Sequence, residues 1–463
     1  MINYFNFKRI KDQYLLTNDL GRYIFVSPAQ MRELLERGEV SDSLINNRLK
    51  KNAFIFNSSV EAFLDEYEHH MVNAKKYLFV PTQLHIFVVN TACNMQCVYC
   101  QAQNGADIPN AFMTLETAKA AVDIALQSPS NNLQFEFQGG EPLLNFNVIR
   151  FIVEYSKEKA GKKNIRYSIV SNLTKLTDEM VEFIRDNSIE ISTSMDGPEK
   201  LHNLNRPYKN GRGTFEDLKK KIHIVRNNGI QTGAILTATR TSLSIPKEIV
   251  DEYLNSGFKR ILLRPLTPLG CANAKWSEIG YNPSEFLHFY KDAFDYILEL
   301  NLKGIYISEG IASIFLSKII EGIAINYMEL RSPCGAAIGQ IAYYSDGKIY
   351  TCDEGRMIAE MGDDSFCIGT VYDSNYNSII DSRRCKGICS SSVLESLPSC
   401  CDCAYQPYCG VCPAVNFALY GDLYEKEPAT YRCEIYKGIL NIIFERLLED
   451  DYSVRQIFRS WLQ

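Results

Sequence analysis

Residues 93–100 read Cys93-Asn94-Met95-Gln96-Cys97-Val98-Tyr99-Cys100, three thiols at C-x3-C-x2-C spacing, directly after the apolar run Leu84-His85-Ile86-Phe87-Val88-Val89. A buried strand that runs into a cysteine loop presents all three thiols together at its carboxyl end. An iron–sulfur cube takes four thiolates, so three cysteines predict a [4Fe–4S] cluster with one iron left for a non-protein ligand. A zinc knuckle is the competing reading, although zinc favours closed four-ligand sites.

Outward from this loop, strand-like runs at 84–89, 133–137, 165–170, 189–194, 232–237 and 260–264 alternate with amphipathic stretches such as 115–126, 148–157 and 181–187. Repeated β-then-α units predict an α/β fold with a parallel sheet and right-handed crossovers. In such barrels functional residues collect where strands end, which is where the remaining motifs fall. The second run ends in Gln138-Gly139-Gly140-Glu141-Pro142, and paired glycines let backbone approach a ligand while its carbonyls accept from an ammonium group. The third ends in Ser171-Asn172-Leu173-Thr174 and the fourth in Ser194-Met195-Asp196-Gly197-Pro198. His202-Asn203-Leu204-Asn205-Arg206 and Gly211-Arg212-Gly213-Thr214-Phe215 follow. The planar fork of Arg206 suits a carboxylate, and Asp196 before Gly-Pro also reads as a turn residue.

Together these motifs resemble the radical S-adenosylmethionine enzymes. The resemblance implies a partial (β/α)6 TIM-like barrel in which Cys93, Cys97 and Cys100 hold a [4Fe–4S] cluster, with Tyr99 beside it. S-adenosyl-L-methionine would chelate the open iron and be cleaved to a 5′-deoxyadenosyl radical. Gly139, Gly140, Glu141 and Pro142 would receive its amino group, Ser171, Asn172, Ser194 and Asp196 would surround its nucleoside end, and Arg206 would pair with its carboxylate. Two positions depart from the family pattern: Leu173 stands where a glycine is usual, and Asn203 where an acid is usual.

The last third is rich in cysteine. Cys334 precedes Gly347-Lys348-Ile349-Tyr350-Thr351-Cys352; Cys400, Cys403, Cys409 and Cys412 form C-x2-C-x5-C-x2-C; Cys433 closes the set. Paired C-x2-C units also bind zinc. The arrangement resembles a SPASM domain, one residue short in its final gap, and the resemblance implies two auxiliary [4Fe–4S] clusters. Cys400, Cys403, Cys409 and Cys433 would hold the outer one, and Cys334, Cys352 and Cys412 the inner one. Sulfatase-maturating relatives carry a further cysteine where this chain has Gln340, so the inner cluster's fourth ligand stays open among Cys367, Cys385, Cys389, substrate or another side chain. Asp353 occupies the position of a general base in those relatives, and a salt bridge to Arg356 is its plain structural alternative. Cys271 and Trp276 have no spacing partner and receive no role.

Composition sets the outer limits. With 463 residues, 46% hydrophobic content, 27 Tyr and 24 Phe, the chain builds a substantial core and two or three domains. A net charge of −6 without a basic cluster argues against nucleic acid. No apolar run approaches a membrane span, and the start of the chain lacks a signal core. Fifteen cysteines in that setting indicate metal or redox chemistry in the cytoplasm, not a disulfide scaffold. Residues 1–80 read as a small α+β, winged-helix-like module: a hairpin across 14–26, helices at 28–37 and 43–50, and a return strand at 54–56. Residues 81–330 would form the barrel and 331–463 the auxiliary-cluster domain.

The motif order resembles peptide maturases of ribosomally made natural products, and the opening from Phe7 to Asp19 resembles His-Xaa-Ser system maturases. The resemblance implies a peptide substrate whose leader segment docks by strand addition, and a reducing donor such as flavodoxin or ferredoxin. The reaction would be hydrogen abstraction followed by crosslinking or oxidation. A sulfatase-type formylglycine-generating maturase and a non-catalytic iron–sulfur or zinc scaffold are the alternatives.

Overall fold

The structure, a computed structural model, describes residues 1–102, 111–323 and 325–463. The chain opens with an antiparallel sheet of β1 (Asn6–Ile10), β2 (Gln13–Thr17) and β3 (Tyr23–Val26), in that order. The expected hairpin is its second half, and Gly21 takes the turn at φ 72°, a conformation that costs other residues most. The first strand was not foreseen. Helices Pro28–Arg37 and Ser43–Lys51 follow where expected. The first is set by a Ser27–Gln30 capping box at one end and by left-handed Gly38 at the other. No strand forms at 54–56: only Ile55 bridges, to Ile2, while Phe54 and Ile55 sink into the module's apolar core.

The six foreseen strands all form: β4 (Leu84–Asn90), β5 (Asn132–Gly139), β6 (Asn164–Val170), β7 (Glu190–Ser194), β8 (Thr232–Thr237) and β9 (Arg260–Arg264). They lie side by side in sequence order and all parallel. β10 (Ser308–Glu309) adds to β9. On the other edge β11 (Gln340–Tyr343) runs parallel to β4, and β12 (Lys348–Tyr350) and β13 (Cys367–Thr370) continue antiparallel. The cysteine-rich tail therefore contributes three strands to the same ten-stranded sheet.

Side-chain alternation gives this sheet an apolar and a polar face. Leu133, Phe135 and Phe137 of β5 are buried in the main core, each such burial contributing about 1.5–3 kcal/mol. Gln134, Glu136 and Gln138 point the other way and line a cavity enclosed by the curved sheet. Arg166 and Ser168 on β6, Glu190, Ser192 and Ser194 on β7, and Thr237 on β8 line it too.

The N-terminal sheet is bolted to the tail. Asn6 donates to Cys401 O at 2.9 Å, Thr17 to Ala404 O at 2.7 Å, and Tyr408 to Gly21 O at 3.0 Å. Tyr23 and Phe25 pack edge-on against Phe444 of helix Tyr431–Glu449.

Candidate functional site

The loop after β4 is held open by a neighbouring segment. Gln96 N–H donates to Pro207 O and Val98 N–H to Asn205 O, both at 2.9 Å, and Cys271 N–H donates to Cys100 O at 2.9 Å. Cys93, Cys97 and Cys100 line one wall of a cavity of about 790 Å³. Burial pushes the Cys93 thiol up to about 12 and raises Cys97 and Cys100 as well. Thiols in such surroundings become thiolates when a metal centre compensates their charge, so the trio suits a cationic cluster.

The Gly-Gly turn is shaped first by this loop. A Cβ on Gly139 would stand 2.5 Å from Asn90 O, and one on Gly140 would stand 2.2 Å from Ala92 O. The glycines thus let two strand ends touch, and both also line the cavity. Glu141 is fully buried and ties the turns together: it accepts from Ser171 Oγ at 2.7 Å, Asn172 N–H at 2.8 Å and Leu143 N–H at 3.1 Å. Burial raises its pKa, and these donors pull against that rise. Asn172 turns its amide toward Cys93 Sγ, at 3.9 Å. Leu173 adopts φ 63°. That conformation costs a non-glycine residue about 1–2 kcal/mol, an amount the complete burial of its side chain offsets.

Beside the cysteine loop, Arg206, Tyr99 and Asp196 form a relay. Arg206 Nη1 donates to Tyr99 Oη at 2.8 Å, and that hydroxyl donates to Asp196 at 2.7 and 2.8 Å. Tyr99, Ser194 and Arg206 face the cavity, whereas Glu141, Pro142 and Asp196 stand behind its wall and act through the residues they hold. Burial raises the Asp196 pKa, with Arg206 beside it opposing the rise. His202 accepts from Asp196 N–H at 3.3 Å, and its burial lowers its pKa to about 3. Asn203 caps helix Phe215–Asn227, accepting from Thr214 N–H at 2.8 Å and Phe215 N–H at 2.9 Å, so the missing acid leaves that cap intact.

The same cavity reaches the tail. Asp353, Glu354 and Arg356 of helix Asp353–Glu360 line it together with the Cys93 loop. Arg356 donates to Asp353 at 2.8 Å and to Gln138 at 2.9 Å, joining this helix to β5. Asp353 thus makes the foreseen salt bridge and faces the cavity as well.

Behind that helix Cys334, Cys352 and Cys412 line a second, smaller cavity together with Gln340 and Glu354. Cys352 and Cys412 are the N-cap residues of two helices, Asp353–Glu360 and Pro413–Tyr420, where the helix dipole favours negative charge. Cys367, Cys385 and Cys389 do not line it. The free thiols of Cys385 and Cys389 share a hydrogen bond, and Cys389 lies near enough to Cys334 to raise its pKa. Farther out, Cys400 is raised by burial and by Cys409, Cys433 and Cys403 around it, and Cys409 is pushed up to about 12 by burial, Cys433 and Cys403. Among the described residues no group of three His, Cys, Asp or Glu is drawn together as a single metal ion requires. The thiolates of a cube bind separate irons and need not converge on one point.

Sequence reading missed Cys271 beside the first trio, Glu136 in the cavity wall and Glu354 between the two cavities. A signal existed for Glu136, since Gln134, Glu136 and Gln138 alternate with apolar neighbours and so share one face.

Residues 87–252 match the family model described as the radical SAM superfamily. An uncharacterized protein of Methanocaldococcus jannaschii is 31% identical over 265 residues, covering 55% of this chain and 88% of that protein. A cysteine-type anaerobic sulfatase-maturating enzyme of Clostridium perfringens is 24% identical, covering 80% of this chain and 98% of the enzyme. The radical SAM cyclopropyl synthase TigE of Paramaledivibacter caminithermalis is 23% identical and covers 94% and 88%. Among solved structures, native anSMEcpe with bound AdoMet superposes with a TM-score of 0.69 at 22% identity, over 80% of this chain and 99% of that one. Streptococcus suis SuiB bound to precursor peptide SuiA gives 0.54 at 16%, over 92% and 98%. The chain is an enzyme of the radical SAM superfamily.

Proposed function

We propose that this enzyme is a peptide maturase, which abstracts hydrogen from a ribosomally made peptide and completes a crosslink or an oxidation. The observation that carries this reading is the single cavity of about 790 Å³ joining the Cys93 loop to Asp353 on the tail helix, room for a peptide segment between the two. Bound at the Cys93–Cys100 loop, S-adenosylmethionine and its [4Fe–4S] cluster would supply a hydrogen-abstracting radical, and two auxiliary clusters in the tail an electron sink. The chain's part is to hold and to exclude. Arg206, fixed by Tyr99, presents its fork to the cofactor carboxylate; Ser171, Asn172 and Ser194 offer hydrogen bonds to the nucleoside end; Gly139 and Gly140 offer backbone carbonyls. Asp353, clamped by Arg356, is the proton acceptor as the substrate is oxidised.

Residues 1–80 are assigned to leader recognition, by strand addition at β1 or β3, the two edges of their sheet. A reductant such as flavodoxin or ferredoxin would supply the electron, in the cytoplasm. No helix among the described residues is long and apolar enough to cross a membrane.

Formylglycine formation on a protein is the second reading, favoured by the alignment over 98% of the sulfatase-maturating enzyme. Against it, Gln340 lines the inner cysteine cavity in place of the expected thiol. Co-expression with a short peptide encoded beside this chain, followed by mass analysis, decides. A loss of about two mass units per modification supports crosslinking or oxidation; an unchanged peptide together with a modified sulfatase cysteine rejects it.

A further inference from the structure

Three cysteines face the inner cavity of the tail, and its wall offers three acid or amide side chains beside them, Glu329, Gln340 and Glu354. Glu354 is the second residue of the helix that Cys352 caps, so a rigid turn fixes it next to a thiol. The cations around it are committed elsewhere. Arg356 bonds to Asp353 and Gln138, while Arg264 and Arg432 reach Glu329 at 3.4 and 3.3 Å. Among the described residues, none donates a side-chain hydrogen bond to the Glu354 carboxylate or forms an ion pair with it.

Glu354 is half-buried, and a carboxylate so placed without a cation or donor from the chain is available to one bound in the cavity. Glu354 lines both the inner cysteine cavity and the large cavity, as does Glu329, but Glu329 is already paired with Arg264 and Arg432. Gln340 shares that double exposure, but a neutral amide is a weaker donor to iron than a carboxylate and brings no charge.

We infer that Glu354 is the fourth protein ligand of the inner auxiliary cluster, its carboxylate oxygen taking the iron that Cys334, Cys352 and Cys412 leave open. This rests on the reading of the tail as a cluster domain. The inner cluster then has three sulfur-bound irons and one oxygen-bound iron, and the oxygen-bound iron is the one nearest the large cavity. A carboxylate exchanges more readily than a thiolate, so this corner is where a substrate donor would enter.

The test uses the full chain, reconstituted anaerobically with 57Fe, in a Cys93→Ala, Cys97→Ala, Cys100→Ala background that removes the first cluster. Two remaining cubes give about eight irons. With Glu354 present, Mössbauer spectra should resolve about one iron in eight with the higher isomer shift of oxygen ligation. Glu354→Cys should move that iron into the all-sulfur envelope, and Glu354→Ala should open it to added cyanide, seen as a changed EPR signal. Glu354→Cys keeps the test alive if the alanine variant fails to fold. About eight irons with identical spectra for Glu354 and Glu354→Cys overturns the inference alone. About four irons with no oxygen-ligated site also overturns the inference, and no bound iron overturns the cluster reading of the tail itself.

Discussion

Cys93, Cys97 and Cys100 come from one loop behind β4, whereas Cys334, Cys352 and Cys412 come from a segment before β11 and from two helix N-termini far apart in the chain. The first trio is specified locally: eight residues fix its spacing, and backbone bonds from 205–207 hold it. The second exists only when β11 has paired with β4 and helix Pro413–Tyr420 has packed against helix Asp353–Glu360. A local trio is recognisable as a motif, while a dispersed one is completed by whatever else the fold brings to its cavity, here Gln340 and Glu354.

The two trios should separate most sharply in activity. Replacing Cys93, Cys97 and Cys100 by Ala should reduce 5′-deoxyadenosine release at least about a thousandfold. Cys352→Ala should leave that release within about threefold of the parent while abolishing the peptide product. Chromatography of both products from one reaction reads the split, and equal loss of the two from Cys352→Ala would erase the distinction.

Their anchoring arginines should differ in stability. Arg206→Met removes the cation that faces fully buried Asp196 across Tyr99, leaving it neutral donors alone, and should cost about 3–5 kcal/mol. Arg356→Met strands Asp353, whose side chain is 19% exposed, and should cost only about 1–3 kcal/mol. Denaturant midpoints measure both, and a larger loss from Arg356→Met would contradict the geometry.

Acid should reach the barrel through its buried histidines. Burial lowers His202 and His85 to about 3 from the ordinary imidazole value of 6.5. Between those values the unfolded chain binds protons that the folded chain refuses, so stability is held above pH 6.5 and falls as pH drops toward 3. The slope is about 1.4 kcal/mol per pH unit for each histidine. Repeating the pH 7 to 5 denaturation series with His202→Gln should flatten part of it, and an unchanged slope would remove His202 from the account.

Gly140→Ala drives a methyl toward Ala92 O and should cost about 1–3 kcal/mol, together with weaker S-adenosylmethionine binding by calorimetry. Smallest of all, Asn203→Asp should change stability by under about 0.5 kcal/mol, since a carboxylate caps the same two N–H groups.

The fold and the first trio were legible because their signals are short-range. Alternation set the six strands, and C-x3-C-x2-C followed by a Gly-Gly turn set the site. The glycines were read as making room for a ligand, and their tighter constraint proved to be Asn90 O and Ala92 O. What stayed hidden depends on long-range packing. β11 is four residues long and joins the barrel only by pairing with β4. Glu354 gains meaning only from the cavity behind it. The return strand expected at 54–56 is reduced to a single bridge for the same reason: its apolar residues were real, but its pairing with residues 1–3 stops at Ile55 opposite Ile2.

The most direct test is one anaerobic reaction of the reconstituted full chain with S-adenosylmethionine, a reductant and its peptide, in which 5′-deoxyadenosine and modified peptide are counted together. The account expects both products from the parent, neither from the Cys93, Cys97, Cys100 triple variant, and 5′-deoxyadenosine alone from Cys352→Ala. Modified peptide from the triple variant would contradict it.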